Sequence, residues 1–268
     1  MKVGVVQMTS TADVEANLVT TERCVAQAAE DGAVLVLVPE CFAYLGPEAG
    51  KLAIAEPLPE GGPILARMQA LAKRHELDLV LGGFWETSEA AGKVKNACVH
   101  LGAEGAVRAV YRKIHLFDVD LPDGTRLMES DTVEPGSVPV VTDTPFGKLG
   151  LSVCYDLRFP ELYRKLVDEG AIALAIPAAF TLTTGKDHWH VLLRARAIEA
   201  QSYVLAAAQT GHHFGSRRSY GHALIADPWG TVLAEHGEGE GAVVARIDPD
   251  TVARVRHGLP SLRHRRLG

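Results

Sequence analysis

The feature that most constrains the fold of this sequence is the run Ala-Val-Leu-Val-Leu-Val at positions 33–38. Every side chain in the run is apolar, and three of the six residues are valines, whose β-branched side chains suit a strand. Because both faces of such a strand are apolar, both must be covered by helices or by another sheet. The run therefore predicts a layered α/β protein with this strand inside it.

Strand and helix patterns alternate twice along the chain, and extra antiparallel strands follow each round. Two such rounds predict an α/β fold with sheets packed together and helices outside. No linker or low-complexity segment interrupts the pattern, so we expect a single domain over residues 1–268. Strands are predicted at 3–8, 33–38, 77–85, 94–101, 106–115, 148–153, 171–176, 203–209, 223–227, 231–234 and 242–247, and helices at 13–31, 64–75, 160–168, 188–201 and 248–257.

Composition excludes several classes of protein. A hydrophobic fraction of 47% in 268 residues fills a large core, which excludes a disordered chain, collagen and a disulfide-stapled mini-fold. The net charge of −6 argues against a nucleic-acid partner, and the basic C-terminus has no interleaved aromatic residues. Any anionic ligand must therefore be recognised by a local cluster of groups.

The location of the protein is predicted from its cysteines and its apolar runs. The four cysteines form no CxxC pair, which predicts reduced thiols rather than a zinc knuckle or a redox dithiol. The N-terminus leads directly into a strand without a signal-peptide pattern, and the longest uncharged stretch, 171–184, is too short to span a bilayer. We expect a cytoplasmic protein without a membrane partner.

Cys154 is the first candidate functional residue. An apolar strand stops at this cysteine, and a polar stretch then leads to Pro160, a residue typical of a helix start. A thiol at the carboxyl end of a strand lies where open α/β sheets place their sites, and the helix start that it faces favours a thiolate. The alternative is that Cys154 is a small buried apolar residue.

Two charged residues also follow apolar strands. Glu40 ends the most apolar strand of the chain, where a buried carboxylate is costly unless it is paired. Lys113 ends a strand as well, although a surface position on an edge strand would explain it equally. Together with Cys154 they suggest a mechanism, in which a thiol attacks a carbonyl, a carboxylate moves the protons and an ammonium stabilises the oxyanion. This chemistry is amide hydrolysis through a thioester.

The segments that contain these residues resemble the nitrilase (carbon–nitrogen hydrolase) superfamily. The similar segments are Val-Pro-Glu at 38–40, Tyr-Arg-Lys at 111–113 and Cys-Tyr-Asp-Leu-Arg-Phe-Pro-Glu at 154–161. The resemblance implies a catalytic triad of Glu40, Lys113 and Cys154, and a second active-site glutamate, Glu129, that orients the lysine and the substrate. It also implies a four-layer α-β-β-α sandwich of two mixed sheets flanked by helices, a homodimer or larger homo-oligomer, and neither a metal nor an organic cofactor.

Further segments resemble the Nit-type amidases, among them Gly-Lys-Asp-His-Trp at 185–189 and Ser-Tyr-Gly-His at 219–222. This resemblance implies a small-molecule amide of a carboxylate as substrate, with deaminated glutathione favoured. The alternatives are an ω-amidase acting on α-ketoglutaramate, a hydrolase of N-carbamoyl amides or nitriles, and a non-catalytic scaffold.

Carboxylates on the substrate call for cationic or hydroxyl donors in the pocket. The predicted substrate-binding residues are Tyr44, Tyr155, Arg158, Thr181 and His188. Lys186 and Arg217 are weaker candidates, because each is more often solvated.

Two other patterns in the sequence favour different functional residues. His188-x-His190 and the pair 212–213 suggest a metal, but no HExxH pattern or nearby cysteine–histidine cluster accompanies them. Cys41 is the one rival nucleophile, and it would point to the opposite face of the sheet if the strand before it continued.

Overall fold

The computed structural model describes residues 1–120 and 126–267. Its helices are α1 (Val14–Glu30), α2 (Ala49–Ile54), α3 (Pro63–His75), α4 (Pro160–Asp168), α5 (Leu182–Ala200) and α6 (Pro249–Gly258). Its strands are β1 (Lys2–Met8), β2 (Ala33–Val38), β3 (Asp78–Thr87), β4 (Val94–Leu101), β5 (Val107–Arg112), β6 (Asp118–Asp120), β7 (Arg126–Met128), β8 (Val140–Thr144), β9 (Gly147–Leu151), β10 (Ala173–Ala175), β11 (Tyr203–Ala206), β12 (Ala208–Phe214), β13 (Arg217–Tyr220), β14 (Leu224–Ala226), β15 (Val232–Glu235) and β16 (Gly241–Arg246).

Two mixed sheets hold most of these strands. The first sheet runs in the order β13-β12-β1-β2-β3-β4-β5, and β16 also pairs with β1. The second sheet runs β15-β14-β11-β10-β9-β8, with β9, β10 and β11 parallel at its centre. Parallel strands at the centre place several carboxyl ends at one edge of each sheet, where side chains from distant parts of the chain can meet.

The side-chain alternation of the first sheet shows how the layers stack. Val5 and Leu37 pack in one core with Leu151 and other residues of the second sheet. The alternate side chains of the same strands, such as Val36, point to the other face of the sheet and pack in a second core with Leu18 of α1. The second sheet is covered on its other side by α4 and α5. The predicted four-layer α-β-β-α sandwich is therefore confirmed, and the run 33–38 is apolar on both faces because it lies between two layers.

One predicted strand is two strands in the structure. The run 203–209 divides at Ala207 into β11, which belongs to the second sheet, and β12, which belongs to the first. The residues at the crossing are the small and fully buried Ala206, Ala207 and Ala208. A continuous apolar run therefore predicted the strand character correctly, but it could not show the change of sheet.

The helix predicted from residue 188 begins six residues earlier, at Leu182. Gly185 lies inside the part of α5 that the prediction missed, and it has a packing role there. A side chain at Gly185 would approach the Cβ of Tyr220 to 2.3 Å, so only glycine allows this close contact. The predictions also missed the short elements α2, β6, β7, β8 and β13.

Candidate active site

Three strand ends from both sheets converge on one place. Glu40 follows β2 and Lys113 directly follows β5, both in the first sheet, whereas Cys154 follows β9 in the second. All three side chains are buried, with 4%, 2% and 8% of their residue surface exposed. The surface position considered for Lys113 is therefore wrong, and the edge between the sheets holds a buried cluster of ionisable groups.

The cluster is connected by hydrogen bonds at short range. The ammonium of Lys113 donates to Glu40 Oε1 at 3.0 Å. The other oxygen of Glu40 accepts the backbone N–H of Ala179 at 2.9 Å, and the thiol of Cys154 is hydrogen-bonded to the same carboxylate. Glu40 thus lies between the cation and the thiol and contacts both.

Glu129, the second predicted glutamate, lies on the opposite side of the same ammonium. It lies directly after β7, and Lys113 Nζ donates to its two oxygens at 3.0 and 2.8 Å. The backbone N–H of Phe117 donates to Glu129 Oε2 at 2.7 Å and fixes the carboxylate. Two carboxylates therefore hold the lysine in place, and its ammonium occupies the position that a metal ion between them would need.

Asn96 is a member of this cluster that the sequence analysis did not identify. Its amide donates to Glu40 Oε1 at 2.9 Å and to Glu129 Oε1 at 3.2 Å, so it bridges the two carboxylates. The sequence signal that could have identified it is an asparagine within the buried strand β4, because a buried amide needs hydrogen-bond partners.

A strained turn presents Cys154. Its φ is +47°, in the left-handed region that non-glycine residues rarely adopt. Asp156 is fully buried and fixes this turn, since its carboxylate accepts the N–H of Val153 at 2.9 Å and the hydroxyl of Tyr111 at 2.7 Å. His115 donates to the same carboxylate through its backbone at 3.1 Å. Asp156 lay within the matched segment 154–161, but its position in sequence does not reveal this role.

The charges of the cluster set the protonation of each group. The ammonium of Lys113 lowers the pKa of Glu40 although burial opposes this, and the two carboxylates raise the pKa of Lys113. Burial, together with the charge of Glu40, raises the pKa of the Cys154 thiol well above its ordinary value of 9.0. The expectation that the nearby helix start favours a thiolate at rest is therefore wrong, because desolvation and the adjacent carboxylate outweigh it.

A cavity of about 490 Å³ opens onto Cys154. Its size is in the range of pockets for small organic ligands. Four predicted or candidate binding residues line it, namely Tyr155, Arg158, Thr181 and Arg217. Arg158 lies over the Phe180 ring at 5.0 Å, and Arg217 donates to the carbonyl of Ala179 at 2.9 Å. Neither arginine has a carboxylate partner within residues 1–120 and 126–267, so both can receive an anionic group.

Tyr44 and His188 do not line this cavity, and both predictions are corrected. The hydroxyl of Tyr44 donates to the carbonyl of Pro47 at 2.8 Å, so this side chain bonds within the loop after β2. His188 is exposed on α5 and lies 3.3 Å from the guanidinium of Arg158. Lys186 is likewise exposed on α5 and absent from the cavity wall.

Cys41 also lies on the wall of the cavity. The expectation that it points to the opposite face depended on a continuing strand, but β2 ends at Val38 and Cys41 has a φ of +59°. Burial and the charge of Glu40 raise the pKa of its thiol well above 9.0. The cavity thus holds two protonated thiols.

Comparison with known proteins identifies the family. The model of the carbon-nitrogen hydrolase family matches residues 2–257. The chain belongs to this family. Membership confirms the resemblance inferred from the three segments that contain Glu40, Lys113 and Cys154, and it makes the protein a hydrolase of carbon–nitrogen bonds.

Three related proteins show how far the similarity extends. A deaminated glutathione amidase from Synechocystis sp. is 47% identical over 262 residues, which cover 97% of this chain and 96% of the relative. The crystal structure of the Caenorhabditis elegans NitFhit protein has a TM-score of 0.93 at 41% identity, and the match covers 99% of this chain and 65% of that one. A Nesterenkonia amidase variant with a Glu-to-Gln change, whose active-site cysteine carries acrylamide after Michael addition, has a TM-score of 0.79 at 26% identity over 97% and 98% of the two chains.

Among the residues that the structure describes, no helix is long and apolar enough to cross a membrane.

Proposed function

We propose that this carbon-nitrogen hydrolase is an amidase that cleaves the amide of a small carboxylate through a thioester on Cys154, with deaminated glutathione as its substrate. The observation that carries the proposal is the hydrogen bond between the Cys154 thiol and the carboxylate of Glu40, which is itself paired with Lys113. A neutral thiol beside an ionised carboxylate is a nucleophile with its base already in contact.

The first half-reaction forms the thioester. The Cys154 sulfur bonds to the amide carbon as its proton moves to Glu40, and the carbonyl electrons move to oxygen. The ammonium of Lys113, supported by the backbone N–H of Tyr155, stabilises the resulting oxyanion. When this intermediate collapses, the carbon–nitrogen bond breaks and the nitrogen takes the proton from Glu40, so that ammonia or an amine leaves.

The second half-reaction releases the acid. Water attacks the thioester carbon while Glu40 accepts one of its protons, and the carbon–sulfur bond then breaks. The departing sulfur takes this proton back from Glu40, which restores both the resting thiol and the ionised carboxylate. Glu129 keeps Lys113 charged and in place through both steps, because its two oxygens accept hydrogen bonds from the ammonium at 3.0 and 2.8 Å.

Substrate recognition is assigned to the unpaired cations of the cavity. Deaminated glutathione carries one carboxylate on its α-keto acid end and another at its glycine end. Arg158 and Arg217 both line the cavity and lack a carboxylate partner among the described residues. A guanidinium that meets a carboxylate in a partly buried site makes strong, oriented hydrogen bonds. Thr181 supplies a hydroxyl on the same wall.

The proposal extends to assembly and location. Val191 and Ile198 on α5, together with Trp229 and Leu233 near the β14–β15 turn, expose 67%, 48%, 61% and 42% of their surfaces. Apolar side chains exposed this far support a homodimer or larger homo-oligomer whose interface includes these four side chains. The four cysteines are all free thiols, which supports a reducing compartment, namely the cytoplasm.

The substrate is tested by comparing kcat/KM for deaminated glutathione and for α-ketoglutaramate, which shares the α-keto acid end but lacks the glycine carboxylate. We expect the larger value for deaminated glutathione. Arg158→Ala and Arg217→Ala should each lower kcat/KM by about 10- to 100-fold on at least one substrate, through a raised KM.

An arginine that binds the glycine carboxylate affects deaminated glutathione alone, whereas one that binds the α-keto acid affects both substrates. Lys186→Ala is the matched control, because this cation is exposed outside the cavity. A higher kcat/KM for α-ketoglutaramate would assign ω-amidase activity instead. No release of amine or ammonia from any amide would leave only the scaffold interpretation.

A further inference from the structure

A second cluster of ionisable side chains lies away from the cavity. His190 is on α5, His222 is in the connection between β13 and β14, and Glu235 is the last residue of β15. None of the three lines the cavity that contains Cys154. The mechanism above uses none of them, yet their side chains converge from three separate elements.

The geometry of this cluster resembles a metal site whose ligands have closed onto one another. His190 Nε2 lies 3.0 Å from Glu235 Oε1, and His222 Nδ1 lies 2.6 Å from the same oxygen. The three donor atoms all lie within 4.8 Å of one another. In a tetrahedral zinc site with bonds of about 2.0 Å, ligand atoms are separated by about 3.3 Å. The two nitrogen–oxygen distances would therefore lengthen by about 0.3 and 0.7 Å to admit an ion, while the two ring nitrogens already lie within 4.8 Å of each other.

The two imidazole rings are held in position by their surroundings. Tyr220 stacks on His222 with 4.5 Å between ring centroids and contacts the edge of His190 at 6.0 Å. The backbone of His222 has a φ of +60°, and its carbonyl accepts the indole N–H of Trp189 at 2.8 Å. A left-handed backbone at a histidine is uncommon and fixes the direction of its ring. The ligand set is thus oriented before any ion binds.

The charge of the cluster also favours a cation. The ion pairs of Glu235 within the described residues are those with His190 and His222, so no lysine or arginine neutralises it there. This contrasts with the active-site cluster, in which the ammonium of Lys113 occupies the position between the carboxylates.

We propose that His190, His222 and Glu235 form a binding site for a divalent transition-metal ion, with Zn²⁺ as the best match. Two imidazole nitrogens and one carboxylate oxygen are a ligand set that zinc uses, and water completes the tetrahedron. Their side chains are 31%, 33% and 34% exposed, so an ion and a water molecule reach them from solvent. The ion would tie α5 to the β14–β15 edge of the second sheet and would stabilise the folded protein.

This assignment replaces the pair suggested by sequence. His188 and His190 are two residues apart on α5 and do not face each other. In the structure His188 contacts Arg158, while His190 turns to Glu235. The sequence analysis found no support for a metal at His188-x-His190, and the partners of His190 in the structure, His222 and Glu235, are distant in sequence.

The test uses tag-free protein carrying Cys154→Ala, so that the active-site thiol does not bind the metal. After removal of metals with a chelator, Co²⁺ is titrated by visible absorption, and Zn²⁺ is then added as a competitor. We expect one Co²⁺ per chain with the spectrum of nitrogen and oxygen ligands, and displacement by Zn²⁺. Saturating Zn²⁺ should raise the midpoint of thermal unfolding.

The variants His190→Ala and Glu235→Gln should each weaken binding at least 10-fold and abolish the thermal shift, whereas His188→Ala should change neither. His190 lies on a regular helix, and this variant is expected to fold even if changes at the strained His222 do not. Binding that survives both variants, or no binding beyond that of the His190→Ala protein, would overturn the proposal and leave the cluster as a set of hydrogen bonds.

Discussion

Cys154 and Cys41 are two thiols in one cavity, and their environments are alike in most respects. Each is the third residue after a strand that has a parallel neighbour, β9 for Cys154 and β2 for Cys41. Both are buried, with 8% and 6% exposure, and both have a positive φ, +47° and +59°. Burial raises the pKa of both thiols. Burial, strand position and backbone strain therefore do not distinguish a nucleophile from a bystander.

The two thiols differ in their relation to Glu40. The carboxylate of Glu40 is hydrogen-bonded to the thiol of Cys154, which comes from the other sheet. Its effect on Cys41, the next residue in sequence, is the repulsion of its charge. In the proposed mechanism a base in contact with the thiol makes it nucleophilic, and this contact is decided by the packing of the two sheets rather than by sequence adjacency.

The largest expected effect separates the two cysteines by substitution. Cys154→Ala should lower kcat by about 10⁴-fold or more, because no other group forms the thioester. Cys41→Ala is the matched control from the same cavity and should keep kcat within about threefold. Release of amine from the favoured substrate measures both, and circular dichroism shows that both fold. Equal losses in the two variants would contradict the distinction.

The second prediction removes the base and leaves both thiols. Glu40→Gln keeps the shape of the side chain but cannot accept the thiol proton, so kcat should fall by about 10²- to 10⁴-fold. Glu48→Gln is the control, since Glu48 is a cavity carboxylate that pairs with Lys51 instead. A Glu40→Gln enzyme with wild-type kcat would show that the proton goes elsewhere.

The third prediction concerns alkylation by iodoacetamide as a function of pH. Glu40 has a lowered pKa and is ionised at all pH values above about 4.5, so it can assist attack by Cys154 between about pH 5 and pH 9. The labelling rate of Cys154 should be nearly constant over that range. Cys41 reacts only as a thiolate, and because its pKa lies above 9.0 its rate should rise about tenfold per pH unit.

Mass spectrometry of the peptides that contain each cysteine measures the two rates in one sample. In the Glu40→Gln variant the pH dependence of Cys154 should become like that of Cys41. Parallel pH profiles for the two thiols in the wild-type protein would refute assistance by Glu40.

The smallest effect tests what the two cysteines share. Because both have a positive φ, glycine should be tolerated better than alanine at each position, by about 1 kcal/mol in the free energy of unfolding. Cys41→Gly and Cys41→Ala, compared with Cys154→Gly and Cys154→Ala by urea denaturation, give the two differences. A preference for alanine at either position would show that the left-handed backbone relaxes there.

Much of the fold follows from local patterns. The strand 33–38 and the helix 160–168 have the predicted bounds, because apolar periodicity and a proline at the helix start are local signals. The crossing at Ala207 was missed, since nothing in a uniform apolar run marks which sheet each half joins. The first six residues of α5 were also missed, and the close packing of Gly185 against Tyr220 there is a contact distant in sequence.

The residues of the candidate site were likewise predicted only in part. Glu40, Lys113, Glu129 and Cys154 were predicted from their segments, and the structure places them in one cluster, while their catalytic roles stay a proposal. Asn96 and Asp156 were missed, because a buried polar residue reveals its role only through its partners. Tyr44 was misplaced because the loop after β2 turns its hydroxyl toward Pro47.

By itself the sequence determined which residues are apolar, where helices and strands form, and that a thiol, two carboxylates and an amine lie in segments typical of one hydrolase family. The tertiary structure decided which of two cysteines meets the base, which arginines face the cavity and which histidine joins Glu235. The physical reason is that local patterns depend on neighbouring residues, whereas distances of about 3 Å between charged groups depend on how two sheets pack, which no short segment specifies.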